Sequence, residues 1–240
     1  MTGNTKVDEL LKIPQYEQRS PEWFSQREDK LTSSDAATAL GINPYQKPHE
    51  VVFKKCGYDP KPFVGNVATR HGQQYEDYAI EKYCRCLGVT NYNFGMISYT
   101  DVYDLHLDES SKKTSEYYFL AGSPDGIAVD PNDSEPILLE VKCPYRRKIE
   151  INKCPKYYYP QVQLNMFICN LKKADFIEYR PSSEGEEEII NIVRIHRNEQ
   201  WLSENLPILK KFWKEIEHYR SVGIENHPKF KKKLNAVNIE

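Results

Sequence analysis

In the segment "LAGSPDGIAVDPNDSEPILLEVKCPYRRK", residues 120–148, Asp125 follows a proline and precedes a glycine, and Glu140 and Lys142 stand two apart in an apolar run. Side chains alternate along a strand, so Leu138, Glu140 and Lys142 share one face and Ile137, Leu139 and Val141 the other. Ionisable groups on a covered face cost several kcal/mol to desolvate unless they are paired or bind a cation. A plain Glu–Lys contact on an exposed sheet face satisfies the same spacing. Asp125 adds a second carboxylate. It sits on the preceding arm of a hairpin, and a turn of about seven residues returns the chain antiparallel, so both acids and the lysine converge. Mg²⁺ takes one or two carboxylates, keeps waters and binds substrate phosphates. Asp125, Glu140 and the backbone carbonyl of Val141 are therefore candidate ligands, with Lys142 set to position or polarise an attacking water.

A further acid lies in "HGQQYEDYAIEKYCRCLG", where Glu76 is in line with Ala79, Ile80, Tyr83 and Leu87 on the stripe a helix turns to a core. Such an acid needs a partner. A metal at the sheet is one, reached directly or through a water; solvent at a helix edge is the other.

These residues require elements to hold them. "RSPEWFSQRE" opens a helix with Ser20 as cap and Pro21 in first position, and "LTSSDAATALG" starts another, capped by Ser33 or Ser34 and closed by Gly41. Residues Asn43 to Val67 read as loop, with a short helix around "HEVVFKK", and a helix runs from His71 to Leu87 before Gly88. Strands follow around "NFGMISYT" and "YYFLAGSPDG", in "GIAVD" and, after the turn "PNDSEP", in "ILLEVKCP". "YYYPQVQLNMFICN" is apolar on most sides and reads as a buried helix, with Pro160 near its first turn. "ADFIEYR" and "EEIINIVRIHR" give two more strands, and an amphipathic helix covers about Asn198 to Tyr219. The order predicts an α/β fold with a central mixed β-sheet flanked by helices. One domain is expected over residues 1–225, with 226–240 a flexible basic tail carrying "KFKKK".

Charge is balanced overall, 33 basic against 35 acidic residues in 240, so its distribution matters more than its sum. Between Lys142 and Lys156 six basic residues stand against one acid, whereas "EGEEE" at 184–188 is acidic. Arg146, Arg147 and Lys148 are candidate contacts to backbone phosphates, although a solvated loop has the same composition. The six cysteines lack paired metal spacing and read as reduced thiols, which implies an intracellular compartment. No iron–sulfur cluster is expected, and Cys143 reads as a buried thiol. With no long apolar run and no signal pattern, neither secretion nor a membrane partner is expected.

Five segments in order between Arg19 and Asn170, "RSPEWFSQREDKLTSSDAATALG", "HGQQYE", "GSPDG", "LLEVKCP" and "YYYPQVQLNMF", resemble the phage-lambda-type exonucleases. These are also called YqaJ-type viral recombinase nucleases, a branch of the PD-(D/E)xK superfamily. The resemblance implies a restriction-endonuclease-like core, with metal-binding and catalytic positions at Glu76, Asp125, Glu140 and Lys142. It implies a Gln-x-Gln helix at Gln161 and Gln163, and contacts to a terminal phosphate at Arg27 and Ser34 with Ser123 nearby. A helix beginning near Asp35 would support the last role, since its free N–H groups attract anions. Two departures stand out: the loop between "CPYRRK" and "YYYP" is unusually basic, and the tail after about Asn226 has no counterpart.

The activity so implied is 5′-to-3′ resection of linear duplex DNA by a Mg²⁺-dependent exonuclease, Mn²⁺ substituting, for recombination and repair by strand annealing. It implies free DNA ends as substrate and a single-strand annealing protein as partner. A homo-oligomer is among the expectations, since the family includes ring-shaped trimers. An endonuclease or nickase on the same core is the alternative. A DNA-binding module without catalysis is the third reading, against which the intact Asp125, Glu140 and Lys142 argue.

Overall fold

A computed structural model describes residues 2–58, 65–104, 108–112, 114–183 and 185–230. The chain begins with α1 (Thr5–Leu11), α2 (Pro21–Glu28), β1 (Leu31–Thr32), α3 (Ala36–Ala39), α4 (Pro48–Lys55) and α5 (Val67–Leu87). It continues through β2 (Thr90–Tyr92), β3 (Ile97–Ser98), α6 (Tyr99–Tyr103), α7 (Glu109–Lys112), β4 (Leu120–Gly122), β5 (Gly126–Val129) and β6 (Ile137–Lys142). The remaining elements are α8 (Tyr159–Ile168), β7 (Lys173–Arg180), β8 (Ile189–His196) and α9 (Glu199–Val222). No helix among the described residues is long and apolar enough to cross a membrane.

Five strands form one mixed sheet in the order β2-β5-β6-β7-β8, in which only β6 and β7 run parallel, with α8 in the crossover between them. The alternation expected in "ILLEVK" divides its two faces. Ile137, Leu139 and Val141 pack with Ala79, Ile80 and Tyr83 of α5. Leu138 joins Val162 and Leu164 of α8 and Leu209 of α9 in the larger core. Each such buried aliphatic side chain contributes roughly 1.5–3 kcal/mol. A small second sheet, β1-β4-β3, carries the chain from the N-terminal helices into the bend before β5.

Capping explains most helix limits. Ser20 Oγ accepts the Trp23 N–H at 3.2 Å with Pro21 in first position, and Asn198 Oδ1 accepts the Trp201 N–H at 2.9 Å. The α5 helix starts four residues before the expected His71, because Asn66 Oδ1 caps the Thr69 N–H at 2.9 Å. It stops at Gly88, whose φ of 68° suits glycine. Leu87, expected on the buried stripe, is exposed. Only Ile97–Ser98 of "NFGMISYT" is strand; the chain turns at once into α6. The segment expected as tail from residue 226 remains packed to Phe230, which lies edge-on to Phe53 and Tyr58 with His227 buried beside it. Residues 231–240, with most of "KFKKK", lie outside the described residues.

A strap of loop, residues 12–20, crosses the sheet end near Asp125. Gln15 Oε1 accepts the Gly95 N–H at 2.6 Å, and Gln18 Nε2 donates to the Phe94 and Pro124 carbonyls at 2.9 and 3.2 Å. A Cβ on Gly95 would collide with the Tyr16 carbonyl oxygen, a backbone atom unable to yield cheaply. Gly95→Ala is therefore expected to destabilise the fold by about 1–3 kcal/mol in chemical denaturation. An unchanged midpoint would show that the strap is free to move.

Candidate active site

Glu140 and Lys142 lie at the C-terminal end of β6, on the face covered by α8. Glu140 is wholly buried. Its Oε1 accepts from Lys142 Nζ and its Oε2 from Asn165 Nδ2 of α8 at 3.2 Å. Asp125 occupies the bend before β5, where pairing of Gly126 with Leu139 sets it level with Glu140. Asp125 Oδ2 accepts the Val141 N–H at 2.7 Å and lies 3.9 Å from Lys142 Nζ. The N–H and C=O of one strand residue point to the same edge, so the Val141 carbonyl lies on the Asp125 side. The two acids and the lysine thus converge, and Val141 is placed with them.

Glu76 reaches the group from α5, and its Oε2 accepts from Arg19 Nη2 of the strap at 3.2 Å. Burial pushes the Glu140 carboxyl up to about 7; Lys142 works against this, while Asp125 and Glu76 add to it. Glu76 is raised by burial and then by Asp125. Burial opposes the Lys142 ammonium, but Glu140 and Asp125 outweigh it and hold the lysine above its ordinary value.

Three carboxylates facing one lysine form a set of hard oxygen donors with negative charge left over. Among the described residues no group of three or more His, Cys, Asp or Glu stands assembled as a metal cage. The set nevertheless suits a cation that needs one or two carboxylates and retains its waters, as Mg²⁺ does. Asn165 Oδ1, buried without a partner beside Glu140, is a further oxygen at the same place.

A second cluster forms around Arg27. Its guanidinium stacks on the Trp23 ring at 4.4 Å, one helical turn away, and its Nη2 donates to Ser34 Oγ at 2.9 Å and Thr32 Oγ1 at 3.2 Å. Trp23 Nε1 donates to Ser123 Oγ at 3.0 Å, so Arg27, Ser34 and Ser123 share one neighbourhood, two residues along the chain from Asp125. Ser34 is not the helix cap expected. The helical turn starts at Ser33, and Asp35 Oδ2 accepts both the N–H and the hydroxyl of Thr32, at 3.3 and 2.8 Å. The short α3 leaves the helix-dipole argument little weight; what the exposed Ser34 presents is its hydroxyl. Burial lowers the pKa of Arg27 while Asp35 works to raise it. Arg27 pairs with none of Glu22, Glu28 and Asp29; Asp29 is taken by Arg220.

Other expected residues part company. Gln163 is buried, its Nε2 on the His196 carbonyl at 2.9 Å and its Oε1 taking the Asn198 N–H at 2.8 Å, so it joins α8 to the start of α9. Gln161 stays half-buried one turn before Asn165, on the face that meets Glu140. The basic triplet divides. Arg146 and Lys148 are exposed, whereas Arg147 binds the buried Glu178 of β7 and its guanidinium lies over Tyr158 at 5.9 Å. Cys143 is buried, which lifts its thiol to about 12. Asn165, Tyr158, Arg19 and Trp23 escaped the sequence reading. Trp23 carried a signal, four residues before Arg27, and Asn165 another, an amide buried in a largely apolar helix.

A family model described as the YqaJ-like viral recombinase domain matches residues 22–172. An uncharacterized protein of Acanthamoeba polyphaga mimivirus is 33% identical over 187 residues, 73% of this chain and 31% of that protein. A protein of African swine fever virus is 25% identical over 156 residues, 61% of this chain and 45% of that protein. The chain thus spans about a third to just under half of these relatives' lengths. Among solved structures, an alkaline exonuclease from Laribacter hongkongensis superposes with a TM-score of 0.63 at 21% identity, covering 92% of this chain and all of that one. A phage-related exonuclease from Haemophilus somnus gives a TM-score of 0.53 at 17% identity, covering 80% of this chain and 94% of that one. The fold is that of the alkaline exonucleases, a PD-(D/E)xK-like core.

The raised carboxyls make stability depend on pH. In the unfolded chain Glu140 loses its proton near its ordinary 4.5, in the folded metal-free protein near 7, so the unfolded state releases protons first and folding stability falls as pH rises between them. Thermal melts in EDTA should lose Tm from pH 5 to pH 7.5. Glu140→Gln should flatten that decline and Mg²⁺ should restore the wild-type Tm above pH 7. A Tm that stays level across the window would show Glu140 ionised throughout.

Proposed function

The chain belongs to the YqaJ-like viral recombinase family, and from that premise we propose that it is a Mg²⁺-dependent deoxyribonuclease resecting linear duplex DNA from its 5′ ends. One observation carries the reading, the convergence of Asp125, Glu140 and Lys142 at the end of β6. Asp125 and Glu140, with the Val141 carbonyl, would hold the cation, and Glu76 would face it from α5. When bound, a divalent cation supplies Lewis-acid polarisation of a phosphoryl oxygen. Mn²⁺, which accepts the same oxygen donors, is expected to substitute.

The chain's own residues do the rest. Lys142, kept charged by Glu140 and Asp125, acts as a fixed cation beside the scissile phosphate, stabilising charge and orienting water rather than accepting a proton. Asn165 holds the second oxygen of Glu140 and so fixes the carboxylate's plane. Arg27, stacked on Trp23, with Ser34 and Ser123, offers donors to a terminal phosphate, whose charge exceeds that of an internal diester. Arg146 and Lys148 supply backbone contacts, and Arg147 shapes the loop that presents them. The body packed as far as Phe230 acts as one nuclease domain, five residues beyond the expected boundary at 225, and a strand-annealing partner receives the single strand left behind.

Asp125→Ala and Glu140→Gln should each reduce cleavage on the order of a thousandfold, the effect of losing several kcal/mol of transition-state stabilisation, with the fold intact by circular dichroism. Linear duplex bearing 5′-phosphates should be degraded faster than the same duplex with 5′-hydroxyls, and Arg27→Ala should remove most of that difference. Equal attack on covalently closed circles would replace exonuclease with endonuclease. Full activity in either carboxylate variant would dismiss the metal-site reading.

A further inference from the structure

Two clefts meet at the site. One, of 540 Å³, opens on the Asp125 side past Gln15, Gln18 and Asn93; the other, of 580 Å³, opens on the Lys142 side past Asn66, Tyr145 and Tyr158. Arg19 and Glu76 are the two residues that line both. A strand laid through both clefts would carry a nucleoside in each and a phosphate at the wall they share.

The backbone places Arg19 there with some force. Its φ of 73° is in the left-handed region, uncommon for a residue other than glycine. On one side Gln18 is bonded to the Phe94 and Pro124 carbonyls, and on the other Ser20 caps α2. The side chain remains about half exposed, 48%, with its guanidinium on Glu76. An arginine so held sits on an acid that a cation would also seek.

We propose that Arg19 is a phosphate-positioning residue that exchanges partners, pairing with Glu76 in the metal-free site and with the inter-nucleoside phosphate once a divalent cation neutralises the carboxylates. The inference rests on the nuclease reading above. The cation and the guanidinium repel one another at Glu76, while the phosphate offers the guanidinium a paired, charge-assisted alternative. The half-exposed position lets the head group move without burying an unpaired charge. A static surface ion pair would contribute little and would not respond to the metal.

The test measures binding, using Ca²⁺ as the oxygen-liganded cation and fluorescence anisotropy of a labelled 5′-phosphorylated duplex. In Ca²⁺, Arg19→Gln should weaken DNA binding about tenfold, as loss of a charge-assisted hydrogen bond does; in EDTA the change should stay below about twofold, since Arg19 is then occupied. Without DNA, calorimetric titration should show Arg19→Gln binding Ca²⁺ more tightly than wild type, the competing charge being gone. Arg19→Gly relieves the backbone conformation, so its Tm should match or exceed wild type while its binding follows the glutamine variant. Equal losses in Ca²⁺ and EDTA, or Ca²⁺ affinity that fails to rise, would overturn the exchange. If wild type cleaves linear DNA yet Arg19→Gln binds it equally well in Ca²⁺, this proposal alone falls. A wild-type protein with neither Ca²⁺-dependent binding nor cleavage removes the nuclease reading with it.

Discussion

Glu140 is a carboxylate that water does not reach, and the arrangement of the site follows from keeping it there. Burial alone favours its neutral form, so the charged form survives only through partners. Lys142 satisfies one oxygen and Asn165 the other. The first requires an extended β6, because only a two-residue period brings both side chains to one face. The second requires α8 to lie across that face at a fixed height. Gly122 makes this possible, since a Cβ there would meet Asn165 Oδ1 and push the amide off the acid. Strand, crossover helix and glycine are thus bound by one desolvated charge.

The same logic recurs in β7, next in the sheet. Asp175 and Glu178 are buried within "ADFIEYR", the first held by the Tyr83 hydroxyl at 2.6 Å and by Arg194, the second by Arg147 and Asn191. These acids are fully partnered, which separates them from the group at Asp125, Glu140 and Glu76. There three carboxylates share one lysine and one half-exposed arginine, Arg19. Surplus negative charge, rather than burial, distinguishes this group and is what the proposed cation would balance. Arg147 illustrates the converse: its charge is spent on Glu178, so a basic run in sequence overstates the positive surface that remains.

What could be read from sequence follows from range of interaction. The β6 alternation, the cap at Ser20 and the start of α9 near Asn198 depend on neighbours within a few residues, and they appear as expected. The Asp125–Glu140 convergence was legible because a hairpin turns long range into short range. Asn165 was not, since its partner lies 25 residues away across a crossover. Gln163 misled for a related reason. An amide in an apolar helix signals a buried hydrogen bond, and nothing local reveals whether that bond faces the site or, as here, the start of α9. The serine cap expected at Ser33 or Ser34 failed by one or two residues, because Thr32 and Asp35 together begin the turn earlier. Helix ends are decided by such competitions between adjacent side chains.

The proposed end recognition and the proposed hydrolysis are joined by a short stretch of chain. β1 pairs in parallel with β4, anchoring the segment that carries Arg27 and Ser34, and β4 runs directly into Ser123, Pro124 and Asp125. Two residues span at most about 7 Å when extended. Trp23 spans the remaining gap, stacking on Arg27 with its face and donating to Ser123 with its edge. The separation between terminal-phosphate donors and carboxylates is therefore set by covalent geometry and one indole, not by a flexible loop. On the proposed reading, whatever length of strand fits that spacing is the length the site could present to a bound cation, so the step size of resection would be a property of the β4–β5 bend.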